Sequence, residues 1–127
     1  MKILAVSDQI DERIYTPQVQ ERFGDVDLVI GCGDLAYEYL EFLVSALNKP
    51  LLYVPGNHDP LYQPGLPDSR AEGCVFLDQQ VRCVKGLVIA GMGGSIRYHP
   101  TRINQYTQAQ MYLRMMKIAP ALLWQQL

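Results

Sequence analysis

Histidine and cysteine are scarce in this chain of 127 residues. Neither sign of charge dominates: 11 Lys and Arg stand against 13 Asp and Glu, a formal net charge of −2. That balance excludes a basic surface wrapped around nucleic acid, whose affinity would rest on neutralised phosphates. No apolar run approaches the roughly 18 residues of a membrane-spanning helix. With 49% hydrophobic and 19% charged residues, the composition is that of a chain that buries a core, not of a disordered one. Three cysteines, Cys32, Cys74 and Cys83, are an odd number, and no disulfide framework is expected from them. Internal repeats, low-complexity tracts and linkers long enough to separate domains are also missing, so residues 1–127 are expected to form a single α/β domain. The apolar run Ile3 to Val6 is shorter than the roughly 7–15 residues of a signal-peptide core. It is read as a first strand, and a cytoplasmic location is expected.

What is present alternates apolar runs with amphipathic stretches, the pattern of βαβ units and hence of a parallel sheet. Lys2 to Val6 predicts the first strand. Thr16-Pro17 supplies an N-cap and a φ-restricted first helical residue, Val19 and Phe23 share a face, and Gly24 suits a left-handed helix end. Asp27 to Ile30 predicts a buried strand, closed by Gly31-Cys32-Gly33. Leu40, Leu43, Val44 and Leu47 repeat at helical spacing until Asn48 and Pro50, and Leu51 to Val54 predicts a third strand. Pro55 to Gly73, with Pro55, Pro60, Pro64 and Pro67, reads as one long loop of the kind that usually carries function. Short strands are expected at Val75 to Leu77, Val81 to Val84 and, after a turn at Gly86, Leu87 to Ala90, in an antiparallel or mixed arrangement. Thr107 and Gln110 have capping-box spacing. Met111, Tyr112, Met115, Met116 and Ile118 then predict a helix up to Pro120 whose apolar stripe is core.

Three polar clusters each follow an apolar strand directly: Ser7-Asp8, Gly33-Asp34 and Gly56-Asn57-His58-Asp59. In open α/β sheets ligands bind beyond the carboxyl ends of the strands. A parallel sheet therefore brings Asp8, Asp34, Asn57 and His58 to one edge although they are distant in sequence. Two carboxylates and an amide carbonyl suit a divalent cation such as Mn²⁺ or Fe²⁺, with Asp34 the candidate bridge between two ions. His58 would meet a phosphate oxygen, stabilising charge or protonating the leaving group, with Asp59 orienting its ring. Taken alone, Gly56 to Asp59 is an ordinary turn composition; in register with Asp8 and Asp34 it is read as a site.

The order Asp8, Gly33-Asp34, Gly56-Asn57-His58-Asp59 resembles the calcineurin-like metallophosphoesterase superfamily, whose signature opens with Asp-x-His, then Gly-Asp, then Gly-Asn-His-Asp/Glu. The resemblance reaches from the first strand to the Gly91-Met92-Gly93-Gly94-Ser95 run. It implies a β-sandwich flanked by helices, a divalent metal site (Mn, Fe, Zn or Mg) with Asp8, Asp34 and Asn57 as ligands, and hydrolysis of a phosphate mono- or diester assisted by His58. Two departures stand out. Ile10 occupies the place of the first motif's histidine, with Asp11 or Glu12 as substitutes, although an acidic pair there is more often a solvated turn. The late Gly-His and Gly-His-x-His motifs are missing, so a partial, half-length version of the fold with a weak or incomplete metal site is expected. A half-length fold leaves apolar surface uncovered, which predicts a homodimer through Met111 to Leu127. The rival reading is a non-catalytic metal-binding, phosphate-binding or assembly module of the same fold, and a third is a truncated product of a longer enzyme.

The remaining features have plainer readings. Asp34 is also a helix N-cap candidate, Cys32 a small buried filler, and His99 a surface-loop residue. Gly91 to Gly94 lacks the Lys-Ser/Thr of a P-loop and reads as a mobile connection more readily than as a phosphate cradle.

Overall fold

The computed structural model describes residues 1–126; Leu127, the end of the expected association segment, lies outside them. Four strands, β1 (Ile3–Val6), β2 (Leu28–Gly31), β3 (Leu51–Tyr53) and β4 (Val75–Phe76), form one sheet in the order β1-β2-β3-β4. Every pair in it is parallel, with Val6 opposite Gly31 and Gly31 opposite Tyr53 at the carboxyl edge. Alternation along β2 and β3 divides the side chains between two faces. Val29, Leu51 and Tyr53 enter a core with α1 (Val19–Phe23) and α2 (Tyr37–Leu47), where Val19, Tyr39, Leu40, Leu43 and Leu47 are buried. Leu28 and Leu52 turn the other way and join Leu77, with Val84 and Ile89 packed against them. Those last two belong to the antiparallel hairpin of β5 (Val81–Val84) and β6 (Leu87–Ala90), so the sheet lies between a helical layer and a hairpin.

Local chemistry sets the element ends. Asn48 closes α2 in the left-handed conformation (φ 49°) and its N–H returns to the Val44 carbonyl, a geometry that Asn tolerates well. Lys85 and Gly86 both take positive φ, 51° and 82°, as a two-residue hairpin turn requires. Thr107 caps α3 (Gln108–Gln125) in a complete capping box with Gln110. A further parallel pair, β7 (Ser95–Ile96) and β8 (Gln105–Tyr106), had no signal in the hydropathy pattern.

Several expectations are corrected. The first helix starts at Val19, behind Gln18, with no side-chain cap from Thr16, and Gly24 ends it in the right-handed region (φ −64°). Asp34 is not a helix cap, because α2 begins after Ala36 and Asp34 itself has φ 56°. Cys32 is exposed and fills no core. The last helix continues through Pro120 to Gln125. Its stripe is not core: Ile118 alone is buried, while Leu113, Met116, Leu123 and Trp124 are more than half exposed. Among the described residues no helix is long and apolar enough to cross a membrane.

Candidate active site

Because β1, β2 and β3 run in parallel, the loops that leave them emerge side by side. The Asp8 N–H donates to the Gly33 carbonyl at 3.1 Å, which ties the first loop to the second. Asp8 is held at φ 63°, and its carboxylate accepts from the Ser7 hydroxyl. Glycine is required where the second and third loops touch. A Cβ on Gly33 would lie 2.8 Å from the Gly56 nitrogen, and one on Gly56 would lie 2.2 Å from Asp34 Oδ1.

The contact between those loops is a knot of charge-assisted hydrogen bonds. Asp59 Oδ2 accepts from the backbone N–H of Asp34 (2.9 Å) and of Gly56 (2.7 Å). Asp34 Oδ1 accepts from the His58 N–H at 2.8 Å and lies 3.3 Å from His58 Nδ1. Asp59 is only 7% exposed. Burial raises its pKa above the usual carboxylate value, the two backbone donors pull it back, and the Asp34 charge adds to the rise. The carboxylate beside the imidazole is therefore Asp34, whereas Asp59 braces the backbone of the second loop against that of its own.

On this geometry the comparison with known proteins is specific. The model of the calcineurin-like phosphoesterase superfamily domain matches residues 1–113. The chain belongs to that superfamily. No curated protein and no solved structure matches it.

The calcineurin-like edge brings Asp34, His58 and Asp59 into direct contact, with Asp8 tied to them through backbone. Asn57 points its amide nitrogen elsewhere, to the Tyr98 hydroxyl at 2.7 Å. Ile10, in the place of the motif histidine, is 45% exposed. Asp11 is taken up by Arg13, which donates to it from Nε (3.0 Å) and from the second guanidinium nitrogen (2.6 Å), and this pairing lowers its pKa to about 2. The acidic pair after Ile10 is thus a solvated turn.

The donor chemistry suits a hard divalent cation. Among the described residues, Asp8 Oδ1, Asp34 Oδ2 and Asn57 Oδ1 accept no hydrogen bond, so each group keeps an uncommitted oxygen. No three His, Cys, Asp or Glu side chains among the described residues group closely enough to hold an ion, so Asp8 and Asp34 would need an oxygen donor of another kind, such as the Asn57 amide.

His58 and Asp59 separate two hollows. One, of about 580 Å³, is lined by Asp34, Tyr37, Glu38, Glu41 and Arg70; the other, of about 470 Å³, by Asn57, Thr101, Arg102 and Ile103. The buried Tyr37 hydroxyl beside the first has no hydrogen-bond partner among the described residues, and burial raises its pKa.

The glycine-rich run is neither a phosphate cradle nor a slack connection, because its three glycine amides are spent inside the protein. Gly91 donates to the Gln80 carbonyl, Gly93 to Asp78 Oδ1 and Gly94 to the Pro55 carbonyl. Sequence reasoning passed over the residues that follow it, Tyr98 and Asn104, and only the sequence neighbourhood of the glycine run hinted at them. His99 is exposed, with Nδ1 3.0 Å from the Thr101 hydroxyl.

Proposed function

We propose that this chain hydrolyses phosphate mono- or diesters of small molecules with a divalent cation held by Asp8, Asp34 and Asn57. The observation that carries the reading is the Asp34–His58–Asp59 knot at the carboxyl edge of a parallel sheet, open on both sides to hollows of substrate size. A bound cation supplies charge neutralisation at the phosphoryl oxygens and a more acidic water. The protein's own contribution follows from its hydrogen bonds. Asp34 is oriented by the His58 N–H and faces His58 Nδ1, which gives a proton on that atom a carboxylate partner. Nε2 is left to pass a proton to the departing alkoxide. Asp59 keeps the second and third loops in register while this happens.

The test is hydrolysis of p-nitrophenyl phosphate and its bis ester with added Mn²⁺. Asp34→Ala and His58→Ala are each expected to lower turnover by about 100-fold or more; turnover unchanged in both variants overturns the reading. Exposed Ile10, in the histidine's place, together with the absence of a three-residue ligand group among the described residues, favours a second reading, a non-catalytic module. Mn²⁺ uptake without hydrolysis of either ester selects it.

The same reading extends to the whole molecule. The β5–β6 hairpin and the β7–β8 pair belong to the second layer of a sandwich. The enzyme works in the cytoplasm and as a homodimer in which a second copy covers the exposed stripe of α3. A stable monomer in sedimentation at micromolar concentration removes the dimer.

A further inference from the structure

We infer that Tyr98 is a positioning residue that anchors the Asn57 amide by its nitrogen end and leaves the oxygen end for a cation. The inference rests on the proposed metal-dependent reading. An amide side chain has two ends of nearly the same shape, but only its oxygen can bind a cation. The Tyr98 hydroxyl accepts from Asn57 Nδ2 at 2.7 Å, which engages the nitrogen end and keeps Oδ1 uncommitted.

The hydroxyl is held where this is possible. The N–H groups of Tyr98 and His99 both donate to Gln105 Oε1, at 3.3 and 3.0 Å, and Gln105 is 2% exposed. The neighbouring Asn104, in the left-handed region at φ 54°, donates from Nδ2 to the carbonyls of Gly56 (3.3 Å) and Asp59 (3.2 Å). The segment between β7 and β8 therefore grips the Gly56–Asp59 loop at both ends: Asn104 fixes its backbone and Tyr98 its side-chain amide. Tyr98 itself is 62% exposed, so its ring contributes little packing and the loss of its hydroxyl leaves the fold intact. Partners of this kind tune metal affinity by holding a ligand in its binding orientation.

Tyr98→Phe isolates the hydroxyl. Mn²⁺ titration followed by electron paramagnetic resonance is expected to give about tenfold weaker binding than in the unaltered protein, at an unchanged melting temperature. The bound-ion spectrum should shift as it does in Asn57→Ala, and adding Tyr98→Phe to Asn57→Ala should change nothing further. Unchanged affinity in Tyr98→Phe, with binding weakened in Asn57→Ala and Asp34→Ala, overturns the inference and leaves the metal-dependent reading standing. An equal additional loss in the Asn57→Ala background also overturns it, because the hydroxyl then acts elsewhere. An unaltered protein that takes up no Mn²⁺ overturns the reading beneath it, and the inference with it.

Discussion

The two ends of this chain are held together by different forces. From β1 to β4 the structure rests on apolar burial: Val19, Leu28, Val29, Tyr39, Leu43 and Leu52 have no exposed surface at all. From Asp78 onward few apolar side chains are buried, and polar ties take over. Arg114 meets Asp78 Oδ1 at 2.6 Å and stacks over the Tyr106 ring at 4.0 Å, while its carbonyl accepts from Gln79. The same Asp78 oxygen receives the Gly93 N–H. Apolar burial is non-directional and tolerates exchange among side chains of similar volume, whereas a half-buried ion pair depends on both partners. The candidate site straddles the two regimes, with its acids on the apolar half and Tyr98 and Asn104, which tie down the loop from Gly56 to Asp59, on the polar half.

The contrast is sharpest where one side chain is removed from each region. Leu43→Ala, which opens a cavity in the helical core, is expected to cost about 2–5 kcal/mol in urea unfolding, while Lys117→Ala, at an exposed position of α3 outside its apolar stripe, stays within about 0.5 kcal/mol. Equal losses at both positions would break the comparison. Next in size is Asp78→Ala, which strips the Arg114 guanidinium of its anion and the Gly93 N–H of its acceptor. Both partners are less than one-sixth exposed, and a loss of about 2–3 kcal/mol is expected in the same measurement. Thr107→Ala removes one side of the capping box and should cost about 1 kcal/mol, read as a lower unfolding midpoint.

The smallest effect near neutral pH belongs to Cys74. Burial pushes its thiol up to about 12, with the Glu41 charge adding to the rise. The folded state thus prefers the protonated thiol. Its contribution to stability is whole below the ordinary thiol pKa and is lost as the pH climbs towards 12. Iodoacetamide at pH 8, followed by mass spectrometry, is expected to label exposed Cys32 and Cys83 well before Cys74.

Much of the first half was legible because its signals are local and agree with one another. Leu40, Leu43 and Leu47 recur at helical spacing, Asn48 and Pro50 mark where that helix stops, and the apolar runs of β2 and β3 read as strands. The last helix shows where periodicity stops. Its apolar spacing announced a helix, but only the packing of Ile118 against the rest of the fold reveals that the other apolar side chains of that stripe face outwards. The short β7–β8 pair and the Tyr98–Asn57 contact left no pattern at all. Two-residue strands carry no measurable period, and a hydrogen bond across 41 positions has no local signature.

The order of Asp8, Asp34 and Gly56 to Asp59 after apolar strands was enough, by itself, to establish the parallel α/β scaffold and the superfamily, since strand period and turn chemistry are encoded within a few residues. Tertiary structure alone decided how those groups divide the work. It turned Asp34 to His58, buried Asp59 against two backbones and gave the Asn57 amide to Tyr98. The reason is physical: a hydrogen bond has a direction and a reach of about 3 Å, and neither can be assigned until distant stretches of the chain have met.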